Sequence, residues 1–299
     1  MNICCNSDYC GGMGDFGSRI REIAGAGFTH YFWCHQWNTD FLYTAPELEE
    51  IKKVQKSAGL RLLDIHGSSG NEKRWFFPTE YIRKAGVELV KNRLEMLDAL
   101  EGEGVLVMHA PNLKYFVEGH VTPEEHEAKN KAAREEFEAV CRSLDELMPL
   151  LEKYDRKIAI ENLQRDDWSF IDAYLTRYPA ERLGICYDCG HANILRDRMF
   201  EMDKRKSRLA ATHLHDNDGT GDQHKPVFTG TVDFGKLAGI IASSAYKGPL
   251  SFEISIRNTP FWDPEKDVYN QTPEARKAFL ASSYQGCLKL AEMVEAARR

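Results

Sequence analysis

Short runs of branched and aromatic residues alternate along the chain with longer stretches whose apolar positions recur at helical spacing. The short runs predict strands at Asn2–Cys5, Thr29–Trp33, Arg61–His66, Gly104–His109, Lys157–Glu161, Leu183–Asp188, Ala210–His215 and Leu250–Ile254. The longer patterns predict helices near 15–25, 46–58, 79–101, 123–154, 168–178, 199–208, 233–245 and 273–298. Pro46, Pro78, Pro123 and Pro273 stand at or beside helix starts, where the missing N–H costs nothing. Gly27, Gly59 and Gly104 follow helices as C-caps would. Eight strands in strict alternation with eight helices predict an α/β chain folded as one (β/α)8 barrel over residues 1–299. A doubly wound open sheet would rarely fit eight such units without a break, and no Pro/Gly/Ser-rich linker divides this chain.

The strands also carry a face pattern. In the fifth, Ile158 and Ile160 are expected to face the helices, leaving Lys157, Ala159 and Glu161 inward. In the sixth, Ile185 points out and Gly184, Cys186 and Asp188 in. In the eighth, Leu250, Phe252 and Ile254 point out, and Ser251 and Glu253 in. The last inward residue of each of these strands is ionisable, at the end of the barrel where active sites are built.

Composition narrows the function. The 299 residues carry a formal net charge of −7, which offers no global basic field to nucleic acid or anionic lipid. No apolar run approaches the roughly 18 residues of a membrane span. Met1–Tyr9 lacks the regions of a signal peptide, so a cytoplasmic protein is expected. Eight cysteines in a chain of this length read as reduced thiols. The Cys186-x-x-Cys189 pair lies along a predicted strand, where residues three apart face opposite sides, and it has no second pair to complete a zinc site. Gly12-x-Gly14-x-x-Gly17 has dinucleotide-binding spacing, but six residues separate it from Cys5 and no acid ends the second strand, so a glycine-rich loop over the mouth explains it better.

Six consecutive strands, the third to the eighth, end in metal-competent side chains: His66, His109, Glu161, Asp188, His213 (with His215) and Glu253. Carboxylates crowded into a barrel mouth repel one another unless a cation neutralises them. Imidazole and carboxylate donors together suit zinc, manganese, cobalt or iron. His191, three residues after Asp188, and the Asp222-x-His224 pair can reach back over the same rim. Asp216, Asp218 and Gly219 have turn composition; turn formation accounts for Asp218 but not for His224.

These residues resemble the xylose isomerase-like TIM-barrel superfamily, which contains sugar (phosphate) isomerases and epimerases and the endonuclease IV-type repair enzymes. The resemblance spans nearly the whole chain. It rests on Ile65-His66-Gly67, His109-Ala110-Pro111, Ile160-Glu161-Asn162-Leu163, Asp188-Cys189-Gly190-His191, His213 to Gly219, Asp222-Gln223-His224 and Phe252-Glu253. It implies one divalent metal (zinc, manganese or cobalt) held by Glu161, Asp188, His213 and Glu253, with His213 preferred to His215 because Asp216 stands three positions later. It also implies an enediolate mechanism with Glu161 and Glu253 as acid and base. The endonuclease branch uses further ligands, and His66, His109, His191, Asp222 and His224 match them as additional metal or substrate positions. Multi-zinc phosphodiester hydrolysis is therefore one alternative, and a lyase acting on an inosose or dehydroshikimate is another. Against the nuclease stand Asn162-Leu163-Gln164 after Glu161, a short loop between His213 and Asp222, and the acidic balance. The sugar-isomerase branch usually has Pro-Gly-x-Gly after the histidine matched by His224; Phe228 replaces the first of those glycines here.

The expected partner is a small carbohydrate rather than nucleic acid or a membrane, with a homo-oligomer left open. His191 is expected to contact a substrate oxygen, Trp33 and His35 (with Trp37) to wall the substrate, and Pro111–Thr122, carrying Tyr115 and Phe116, to be long enough for a lid. Helix 123–154 is expected to present a solvated face.

Overall fold

The computed structural model describes residues 2–11, 15–116, 119, 121–194 and 200–299, and its eight strands run parallel in one sheet. They are β1 (Ile3–Asn6), β2 (His30–Trp33), β3 (Arg61–His66), β4 (Leu106–Met108), β5 (Ile158–Glu161), β6 (Leu183–Asp188), β7 (Leu209–His213) and β8 (Leu250–Phe252). Order in the sheet follows the chain from β1 to β7, and β8 pairs with β1. The last seam is stitched by Leu214, whose N–H donates to the Ser251 carbonyl at 2.9 Å and whose carbonyl accepts from the Glu253 N–H at 3.1 Å. The sheet meets itself, as the eight-unit alternation predicts: a (β/α)8 barrel.

Side-chain alternation makes this closure favourable. Ile158, Ile160, Leu183, Ile185, Leu250, Phe252 and Ile254 join the large apolar layer between sheet and helices. The interior holds two separate small clusters, Cys4, Phe32, Cys34 and Leu63 in one and Val105, Val107, Ala159, Cys186 and Ala211 in the other. Each outward Ile or Leu contributes about 1.5–3 kcal/mol on burial. Cys186 belongs to the interior and Cys189 to the outer layer, and both are free thiols.

The helices are α1 (Phe16–Ala26), α2 (Ala45–Ala58), α3 (Glu80–Ala99), α4 (Pro123–Lys153), α5 (Ser169–Arg177), α6 (Cys189–Asn193), α7 (Phe234–Ser243) and α8 (Pro273–Arg298). Pro46, Pro123 and Pro273 sit in first turns, and Gly27 and Gly59 are left-handed C-caps. Gly104 is not a cap: α3 stops at Ala99, and a Cβ at 104 would overlap the Asp64 carboxylate, so its role is clearance. The sixth unit also departs from expectation. A single-turn α6 follows β6 directly, and the segment expected as an α-helix is a 3-10 helix over Glu201–Arg208. That segment buries only Met202, so it has no apolar stripe to hold an α-helix against the sheet. Residue 199, where it was expected to begin, lies outside the described residues, as do Gly12, Gly14 and part of the 111–122 segment. Among the described residues no helix is long and apolar enough to cross a membrane.

Candidate metal centre and active site

Glu161, Asp188 and His213 close β5, β6 and β7, and Glu253 follows β8 by one residue. Inward parity brings all four to one point: one ligand atom from each lies within 4.8 Å of the others, and all four are buried. His213 Nδ1 is 2.9 Å from Glu253 Oε2 and 3.2 Å from Glu161 Oε2. Its ring stacks on Phe32, with centroids 4.8 Å apart and planes at 16°, which fixes its direction. Even so, neither nitrogen of His213 nor Oε2 of Glu161 has an aligned hydrogen-bond partner. A buried polar atom left without one costs about 1–3 kcal/mol. A divalent cation among these donors would satisfy Glu161 Oε2 and the His213 Nδ1 that faces both glutamates, so the residues fit a metal.

Around this quartet, three histidines share a second feature. His66 Nδ1 faces the Gly67 carbonyl at 3.2 Å, His191 Nδ1 the Asn162 carbonyl at 3.0 Å, and His224 Nδ1 the Glu253 carbonyl at 3.0 Å. A ring nitrogen that donates to a carbonyl fixes the ring and turns the other nitrogen into the site, the arrangement that orients metal-binding histidines. The free nitrogens converge on carboxylates. His66 Nε2 and His109 Nε2 are 3.3 Å apart and lie 3.7 and 3.3 Å from Glu161 Oε2. His191 Nε2 and His224 Nε2 lie 3.3 and 3.1 Å from Asp222 Oδ2. His191 Nδ1 also sits 3.3 Å from Glu161 Oε1, bridging the two groups.

The electrostatics follow from this crowding. Burial alone would raise Glu161, but the imidazoles of His213 and His109 outweigh it and hold the carboxyl well below its usual range. Glu253 behaves likewise: burial opposes ionisation, yet His213 and His224 bring it down to about 2. Burial pushes His66 down to about 4, with His109 adding to the effect. His224 goes up to about 10 despite burial, because Asp222 accepts from it and Glu253 adds its charge.

The structure places the other expected residues unevenly. Trp33 and His35 stand away from the rim. Phe32 takes the inward position of β2, so Trp33 packs outward against Phe16 and Tyr43, and both residues line a separate apolar hollow beside α2. Trp37 does reach the site, its ring centroid 4.6 Å from that of His66 and 5.2 Å from that of His109. His191 has both nitrogens against protein groups rather than open space. The described part of the 111–122 segment is pinned, with Lys114 bridging to Asp166 and the Tyr115 N–H donating to the Arg165 carbonyl at 3.2 Å. Asp218 caps its own turn through the Thr220 N–H.

Several residues take roles at the site that the sequence did not assign to them, and Asn6 and Asp8 were not singled out at all. His215 holds Asp188, its Nε2 lying 3.0 and 3.1 Å from the two carboxylate oxygens, and it stacks on His224 at 4.3 Å. Gly190 is required there, since any Cβ would enter the His215 ring. Asp216 accepts from the N–H groups of Asn217, Gly230 and Val232 and so shapes the loop after β7. Phe228 adopts φ +68 without glycine's freedom, and its ring packs on Phe234 beneath Lys289. Asp8 and Asn6 stand at the end of β1, where burial and Glu253 push Asp8 up to about 6. Short polar side chains after a strand carry no pattern that separates them from loop residues.

Comparison with known proteins agrees with this architecture. A family model described as xylose isomerase-like TIM barrel matches residues 20–279. An uncharacterized protein of Sinorhizobium fredii, y4fM, is 28% identical over 303 residues, covering 93% of this chain and 88% of its own. Among solved structures, a D-tagatose 3-epimerase-like protein superposes with TM-score 0.72 at 17% identity, covering 99% of both chains. A 3-keto-D-glucoside 4-epimerase from E. coli gives 0.67 at 20% identity, covering 95% of this chain and 99% of that one. At these identities the structural likeness is one of fold.

Proposed function

Because the chain belongs to the xylose isomerase-like TIM-barrel family, we propose that it is a divalent-metal-dependent isomerase or epimerase of a small sugar. The observation that carries this reading is the buried quartet of Glu161, Asp188, His213 and Glu253, with unsatisfied atoms facing one point. The printed names of two structural neighbours, both sugar epimerases or epimerase-like, agree with it. Those four residues would hold the metal, which when bound supplies Lewis-acid polarisation of a substrate carbonyl and its neighbouring hydroxyl. Zinc, manganese and cobalt all suit the donors.

The chain's own groups perform the proton transfers. Glu161 and Glu253 approach His213 from two strands and remain ionised, so each is able to accept a proton from a carbon next to a carbonyl. Removal by one carboxylate leaves an enediolate. Delivery by the other on the opposite face inverts the carbon, whereas return by the same carboxylate to the neighbouring carbon interconverts ketose and aldose. Phe32 and His215 fix the ring of His213 and the carboxylate of Asp188.

A specific observation favours a second reading, multi-zinc hydrolysis of a phosphodiester. The pairs His66–His109 on Glu161 and His191–His224 on Asp222 offer two further cation positions beside the quartet. Metal analysis of the purified protein, followed by solvent deuterium wash-in on a panel of ketoses, inososes and sugar phosphates, tests the choice. One metal per chain with deuterium entering at the α-carbon is the expected result. Three metals, cleavage of bis(p-nitrophenyl) phosphate and no exchange would overturn it.

A further inference from the structure

A cavity of about 480 Å3 opens beside the metal centre between the ends of β1 and β8. It lies within the range of small-molecule sites, roughly 300–1,000 Å3. Its lining includes Asn6, Asp8, Trp37, Asn38 and Arg257, with Asp222 and His224 on the side nearest the rim. His224 joins the two spaces directly, since its Nδ1 faces the Glu253 carbonyl while its Nε2 meets Asp222. Proton transfer at one or two carbons does not use this space.

Its chemistry is specific. Asp8 is oriented rather than neutralised: the Asn6 amide donates to its Oδ1 at 2.8 Å. That amide is itself clamped, donating to the Ile254 carbonyl at 3.1 Å and accepting from the Ile254 N–H at 3.0 Å. Among the described residues no lysine, arginine or histidine forms a close ion pair with Asp8, and only the more distant His224 charge favours its ionised form. A carboxylate has about four lone-pair positions, and the Asn6 amide and the Cys34 thiol engage two, so acceptor capacity for hydroxyl donors remains. Trp37 adds an apolar wall between this space and the His66–His109 pair. Asn38 adds an amide able both to donate and to accept.

An anion would fit poorly. Phosphate sites gather several cations or backbone N–H groups at a helix start. Here the one arginine among the described lining residues, Arg257, is exposed, the charge of His224 is already engaged by Asp222, and Asp8 and the nearby Glu253 present like charge. A dianionic phosphate placed against Asp8 would be repelled.

We infer that this cavity is a subsite for an uncharged, polyhydroxylated extension of the substrate, with Asp8 accepting its hydroxyls. The proposal rests on the sugar isomerase or epimerase reading and sharpens it: the enzyme takes free rather than terminally phosphorylated sugars. Asp8 sets specificity and transfers no proton at the reacting carbon.

The test uses the metal-loaded full chain and reads kcat and KM for deuterium wash-in with dihydroxyacetone, erythrulose, D-fructose and D-fructose 6-phosphate. For the wild type, kcat/KM should rise with chain length among the neutral ketoses and fall at least tenfold on phosphorylation. Asp8→Ala should raise KM for D-fructose by about 10- to 100-fold, the worth of a hydrogen bond to a charged group. The rise should shrink from D-fructose through erythrulose to dihydroxyacetone, a gradient that a merely structural loss would not produce. A second arm measures binding of D-fructose, sorbitol and D-fructose 6-phosphate by saturation-transfer NMR, which needs no turnover. Exchange with no dependence on Asp8, or preference for the phosphorylated sugar, overturns the subsite. Asp8-dependent binding of neutral sugars without any exchange keeps the subsite and overturns the isomerase reading instead.

Discussion

Two carboxylates in this barrel are equally withdrawn from solvent, Glu161 at the C-terminal rim and Asp64 toward the opposite mouth, each 2% exposed. Their ionisation goes in opposite directions. Burial pushes Asp64 up to about 7, and the single Val105 N–H that it accepts at 2.7 Å does not offset this. Glu161 bears the same burial cost but faces His213, His109 and His191, and its carboxyl is held well below the usual range. Burial alone therefore does not mark a functional acid. The mark is a set of neighbours that keeps the buried group charged, with atoms left over for a ligand.

The strongest way to break this comparison is to neutralise each acid in turn. In the roles proposed for it, Glu161 is both a metal donor and a proton carrier, so in Glu161→Gln α-proton exchange should fall by about 10²- to 10⁴-fold. Bound metal, counted on the same preparation, should fall with it. Asp64→Asn keeps the acceptor for the Val105 N–H and should leave exchange within about threefold. Equal losses in the two variants would mean that the rim has no special role.

The contrast also explains what the sequence made legible. Strand parity placed Glu161, Asp188 and Glu253 inward and Ile158, Ile160 and Phe252 outward, because alternation with period two is a local property of the backbone. The barrel followed from counting such units. The wall expected of Trp33 was read from its aromatic character alone; Phe32 has the inward position of β2, which turns Trp33 toward the helices. His215, Asp216 and Asn6 act through hydrogen bonds to residues on other strands and loops, and pairing at such separations leaves no local trace. The sixth helix failed because its polar segment buries one methionine, and amphipathic spacing cannot be read where no stripe exists.

A smaller effect concerns stability against pH. Burial holds the Asp64 carboxyl near 7 in the fold, against about 3.8 for an exposed aspartate, so between these limits the folded state holds a proton that the unfolded chain has released. The contribution of Asp64 to stability therefore falls as pH rises from about 4 to about 7 and levels off above that. Asp64→Asn removes this slope, and the variant should gain on the order of 1–3 kcal/mol over the wild type at pH 8 relative to pH 4.5. Urea unfolding at the two pH values measures it. A slope left unchanged in the variant would show that Asp64 is ionised in the fold and paired by groups other than those described.

The smallest effect tests whether a histidine–carboxylate pair is enough to mark a site. His30 and Glu103 form one with Nε2 and Oε2 3.2 Å apart, outside the rim, and Arg61 lies 2.8 Å from the other Glu103 oxygen. Burial lowers the His30 pKa, and the Arg61 charge works in the same direction against Glu103, so the ring is neutral near pH 7 and donates one ordinary hydrogen bond. Arg61 and Glu103 have side chains 52% and 39% exposed, where screening reduces an ion pair to a few tenths of a kcal/mol. Arg61→Ala should shift the urea midpoint by no more than about 0.5 kcal/mol of stability and leave deuterium exchange and bound metal unchanged. A larger loss, or any change in metal content, would mean that charge at this outer pair reaches the rim, and that the rim's tuning is not the work of its own histidines alone.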